Sequence, residues 1–122
     1  MIALGASLCN EDVNGTNVRQ SVSYSEEKGI TISGSDYGRA PRDVFGSSEY
    51  EYWRTVEPEN VDRVFYELLK ESGAPHEEFS GARLLELISS RFGGTYEAEK
   101  NFREWCESKS VSTSFFTWAS GW

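Results

Sequence analysis

His76 is the only histidine of this 122-residue chain, and in APHEEFSG it stands directly before Glu77 and Glu78. Imidazole beside two carboxylates is the donor chemistry of a metal site. Neighbouring side chains of an extended segment point apart, however, H-E-x-x-H is absent, and no second His or Cys cluster completes a ligand set, so His76 reads as a surface residue. Serines are plentiful, but there is no G-x-S-x-G, and any Ser-His-Asp arrangement would have to use this same histidine. GSDYG is not followed by the Gly-Lys of a phosphate-binding loop. Glu49 and Glu51 stand at i,i+2, close enough for acid–base work, yet such pairs are common along strands. The reading is that the chain is not an enzyme and takes no metal and no cofactor.

The same two glutamates belong to SSEYEYWRTVEPEN, residues 47–60. On a strand, side chains alternate between faces, which puts Tyr50, Tyr52, Arg54 and Val56 on one side and Glu49, Glu51, Trp53 and Thr55 on the other. Burying two unpaired carboxylates is costly, so the glutamate face is expected to be wet and the tyrosine face to pack inward. A half-exposed Trp53 beside acid is what a site for an Arg- or Lys-bearing partner would look like. From Asp43 to Asp62 there are six acidic residues against one base, Arg54. The candidate partner-binding residues are Asp36, Tyr37, Asp43, Glu49, Glu51, Trp53 and Glu57. The plainer alternative is a solvated outer sheet face with one tryptophan covered by a loop.

Charge and size narrow the partners. The net charge is −8 at pH 7, and 14% of the residues are aromatic. Acidic disordered tails are poor in aromatics, so this charge belongs to a folded surface. That surface repels phosphate backbones and anionic headgroups, which argues against nucleic acid or a membrane as direct partner and favours a basic protein. Solubility alone would also account for the charge. No apolar run approaches the ~20 residues that span a bilayer, and MIALGASLCNEDVNG lacks the basic start of a signal peptide, so the expected compartment is the cytoplasm. Cys9 and Cys106 match no C-x-x-C motif and are expected to be reduced, Cys106 as a packed thiol beside Phe102 and Trp105.

The elements that hold the acidic stretch follow from periodicity. Val18, Gln20, Val22 and Tyr24 alternate with polar residues, residues 26–29 form a turn, and Ile30 and Ile32 alternate again, which predicts a hairpin. GSDYGRAPRDVFGSS, 34–48, reads as a loop, and 49–56 as the third strand. Pro58 suits a first helical turn, and Val61, Val64, Phe65, Leu68 and Leu69 fall on one helix face, ended by Gly73 and Pro75. Ser80 caps a second helix with Leu84, Leu85, Ile88 and Phe92 inward and Gly93-Gly94 as its stop. Thr95 caps a third, with Ala98, Phe102, Trp105 and Cys106 on one face, and VSTSFFTW, 111–118, suits a last strand. The expected fold class is α+β: a small, mostly antiparallel sheet of about four strands with three helices packed on one face. The chain reads as one domain, 1–122, with 1–15 as the stretch open to irregular structure.

Gly34, Asp36 and Gly38, then Phe45-Gly46, Glu49-Tyr50-Glu51, the 58–71 helix, Phe102 with Trp105, and Phe115-Phe116 form a pattern spanning about residues 28–118. It resembles immunity proteins of bacterial polymorphic toxin and contact-dependent growth-inhibition systems. The resemblance implies a small cytoplasmic protein, a monomer in a 1:1 complex, that binds a cognate toxin domain and blocks it. That toxin would be a basic nuclease, whose cleft an acidic protein could occupy. The resemblance assigns no interface residues, so the candidate site rests on the residues above. The alternative function is a small acidic chaperone or adaptor for a secreted effector.

Overall fold

A computed structural model describes residues 4–39 and 49–119. The elements run β1 (Leu4–Val13), β2 (Thr16–Ser25), β3 (Gly29–Gly38), β4 (Glu49–Val56), α1 (Pro58–Glu71), α2 (Gly81–Phe92), α3 (Ala98–Ser108) and β5 (Ser114–Ala119). The five strands form one sheet in sequence order, each antiparallel to its neighbour. The expected α+β class holds, with five strands instead of about four. The extra strand is β1, in the stretch expected to be irregular.

β1 joins β2 through Asn14-Gly15, both with positive φ (51° and 85°), the backbone that a two-residue hairpin turn demands. Its register slips between Ser7 and Cys9. Leu8 and Cys9 are consecutive and both buried, which regular alternation does not allow and a bulge does. β3 runs to Gly38, so residues 34–38 are strand and not the start of a loop. Asp43 and Phe45-Gly46 lie outside the described residues.

One sheet face carries the core. Val22, Ile30, Ile32 and Val56 are 1% exposed or less and meet the apolar stripes of the helices. Every residue expected inward on α1 is buried: Val61, Val64, Phe65, Leu68 and Leu69. The same holds for Leu84, Leu85, Ile88 and Phe92 of α2 and for Ala98, Phe102, Trp105 and Cys106 of α3. Ser80 caps α2 as its sequence implies, its hydroxyl accepting from the Arg83 N–H, and Gly93 ends it. Thr95 sits one turn ahead of α3: its hydroxyl accepts from the Glu97 N–H, and Glu97 takes the cap position. Both cysteines are free and buried, and burial pushes the Cys106 thiol up to about 12.

Candidate functional site

Among the described residues, none of the three helices lies on the other sheet face. The registers align its side chains in rows that cross all five strands. One row is Ser7, Ser21, Ser33, Trp53 and Phe116; the next is Asn10, Arg19, Ser35, Glu51 and Trp118. In these two rows the side chains on β1–β3 are small or polar, and those on β4–β5 are aromatic or acidic. The difference in height leaves a shallow depression of about 400 Å³, floored by Ser21, Ser33 and Ser35 and flanked by Arg19, Glu51 and Trp53. Trp53 is half-buried and packs against Phe116, with ring centroids 5.4 Å apart. Phe116 and Trp118 are exposed. An aromatic strip bordered by Glu51 can hold a cationic side chain by its ring faces and its carboxylate together.

Four of the seven sequence-predicted site residues come together on this face. Glu49, Glu51 and Trp53 lie along β4, and Tyr37, exposed on β3, pairs with Glu49. Glu49 and Glu51 are half-buried along their length rather than fully exposed.

The others separate. Asp36 points to the helix side, because β3 remains a strand there and its even-numbered residues face inward. Its carboxylate accepts from the Tyr52 hydroxyl at 3.4 Å. Burial holds the Asp36 carboxyl above its usual range, and the bond from Tyr52 opposes that shift. Glu57 is exposed at the opposite end of β4, where it precedes α1. It lies about 20 Å along the strand from Glu51, from the rise per residue of a strand.

Behind the site, two polar devices fix β4, and neither stood out in the sequence. Gln20 donates to the Tyr52 hydroxyl (2.8 Å) and to the Tyr96 carbonyl (2.9 Å), while its own carbonyl accepts from the Glu99 N–H (3.0 Å). Every polar atom of a buried amide is thereby used. Arg54 is 8% exposed, pairs with Glu99 at 2.7 Å, donates to the Thr113 hydroxyl and lies over the Phe115 ring. The signal for the first was Gln20, a polar residue in an inward position of an alternating strand. The signal for the second was Arg54, flanked on its own face by tyrosine and valine.

His76 is exposed, and its ring stacks on Tyr66 at 5.3 Å. Among the described residues, no three His, Cys, Asp or Glu side chains cluster as a metal site would require, and no helix is long and apolar enough to cross a membrane. No protein-family model, curated protein or solved structure matches this chain.

Proposed function

We propose that this chain is an immunity protein, acting in the cytoplasm, that captures a basic toxin domain, a nuclease, on the open face of its sheet. The observation that carries the reading is the charge arrangement around β4. Arg54, the one base of the acidic window, is turned inward onto Glu99, and the strands of the open face carry three carboxylates, Asp12, Glu49 and Glu51, against one described base, Arg19. The face is therefore net acidic with an aromatic anchor. A nuclease must attract phosphate, so its cleft is basic, and complementary charge speeds capture. The aromatics would slow release. One toxin domain binds per chain, and no bond is made or broken.

Co-expression with a basic nuclease domain encoded just upstream tests this. Growth is restored, and the purified pair forms a complex that weakens with salt. A domain that is neither bound nor neutralised ends the proposal. The exposed Phe116 and Trp118 favour a second reading, a chaperone or adaptor for a secreted effector. That protein would stabilise its client without inhibiting it, so the activity of the bound domain separates the two.

A further inference from the structure

Among the described residues, β5 is an edge strand that no other element covers. Among the described residues it pairs only with β4, leaving its outer backbone groups without a ladder partner. Its sequence, SFFTWA, has no charge and no proline. The opposite edge, β1, is broken by a bulge and carries Glu11 and Asp12. Those are the devices by which edges resist pairing, and β5 lacks them. Nor do the helices cover it: Phe115, on the helix side, is 44% exposed, while Phe116 and Trp118 on the open side are 64% and 46% exposed.

We infer that β5 is the seam of a two-fold dimer, pairing antiparallel with β5 of a second copy to make a continuous ten-stranded sheet. Three observations select a second copy over a foreign strand. First, an edge without charge offers nothing to distinguish a charged partner, and its own uncharged sequence matches it. Second, the register is self-complementary. With Thr117 on the axis, each Phe116 stands opposite the Trp118 of the other copy, and the helices of both copies stay on one side. The row from β4 then reads Trp53, Phe116, the second copy's tryptophan and the second copy's glutamate, and it occurs twice. Cross-strand aromatic pairs are favourable units of sheet stability. Third, the acidic charge does not oppose it. Glu51 lies on β4, so the two copies of this carboxylate are three strand spacings apart, about 14 Å or more. That exceeds the Debye length of about 8 Å at physiological salt.

The dimer goes beyond the proposed function and holds under either reading of it. It keeps one toxin domain per chain and replaces the expected monomer. It also joins the two open faces into one surface, on which each Trp118 is flanked by its own Glu51 and the other copy's Phe116.

Sedimentation velocity of the intact chain from micromolar to millimolar concentration tests it. The mass doubles with concentration in the parent. Thr117→Lys, which sets two like charges on the axis, remains at the monomer mass, and its melting temperature matches the parent's at low concentration, where both are monomers. Thr117→Cys gives a direct second measurement. Residues opposite each other in an antiparallel pair have Cα atoms about 4.5–5.5 Å apart, within disulfide range. Mild oxidation therefore crosslinks this variant to a dimer, while the native cysteines are buried. Ser112→Cys, ahead of the strand, is the control and does not crosslink. A parent that stays at monomer mass throughout overturns the inference. So does a dimer that Thr117→Lys leaves intact, or a Thr117→Cys chain that crosslinks no better than the control.

Discussion

Gly34 shows how one residue sets the geometry of the site from behind. It lies directly across from Tyr52, and a Cβ built on it would fall 2.1 Å from the Tyr52 ring. The ring occupies the space that a side chain at position 34 would take, and its hydroxyl meets Gln20 and Asp36. In Gly34→Ala the ring must leave, and the Gln20 bond with it. A loss of about 2 kcal/mol is expected, the usual cost of overpacking a filled site, read as a lower midpoint in denaturant unfolding. Arg54→Met removes a half of the pair with Glu99, whose side chain is only 15% exposed. Breaking a buried pair from one side costs about 3 kcal/mol, and the same unfolding assay reads it. Asp36 gives a pH test. Its carboxyl is raised in the folded chain by burial, so ionisation is harder there than in the unfolded chain. Folding is then opposed once the pH rises above the unfolded value, and relieved as the pH falls through the carboxylate range. Asp36→Asn lacks this penalty. Its stability relative to the parent should improve as the pH rises above the unfolded aspartate value of about 3.9, and a pH-independent difference would contradict the assignment.

At the scale of elements, the three helices meet at one carboxylate. Glu71, at the end of α1, accepts from the Trp105 indole N–H of α3 at 2.8 Å and from Arg91 of α2 at 3.2 Å, with Lys109 at 3.4 Å. Burial pushes the Glu71 carboxyl up, but these partners outweigh it and hold it below its usual range. A depressed carboxylate contributes stability above its unfolded value and loses it as the pH falls through the folded one. Glu71→Gln should therefore cost about 1 kcal/mol near neutrality, and the cost should vanish in acid, as thermal melts across the pH range will show. The helices themselves were legible, since their stripes, the Pro58 start and the Ser80 cap are all local signals. So was the β2–β3 hairpin, where Val18 to Ile32 alternate cleanly. β1 escaped because the bulge at Leu8 switches which residues face inward, so no single alternation runs through 4–13. Asn14-Gly15 did mark its turn, and two positive-φ residues in succession are a hairpin signal that needed no periodicity. The end of β3 escaped for another reason. Gly34, Ser35 and Asp36 are poor strand formers, and they hold the strand because Tyr52 needs the glycine. That is a tertiary requirement, and it also turned Asp36 away from the face where it was expected.

On the scale of the whole molecule, charge and shape divide the sheet's open face into two halves. The β1–β3 half is small and polar apart from Tyr37 at its end; the β4–β5 half carries Trp53, Phe116 and Trp118 with Glu49 and Glu51. With a net charge of −8, long-range attraction brings a basic partner to the molecule, and these two glutamates set where on the open face it lands. Glu49→Lys with Glu51→Lys adds two charges at each position, so the net charge falls from −8 to −4 and the open face becomes basic. Neither residue reaches the core, and surface changes of this kind usually shift stability by about 0.5 kcal/mol or less. Stopped-flow association with a basic nuclease domain should then slow at least about tenfold at low salt. At about 1 M salt, where the Debye length is about 3 Å, the parent and variant rates should converge. Trp53→Ala should do the reverse, leaving association unchanged and hastening dissociation, because a buried aromatic anchor acts after encounter. Equal association rates for parent and the double lysine variant, with equal salt slopes, would move the binding surface off β4. An accelerated association in Trp53→Ala would show that the ring obstructs docking instead of anchoring it.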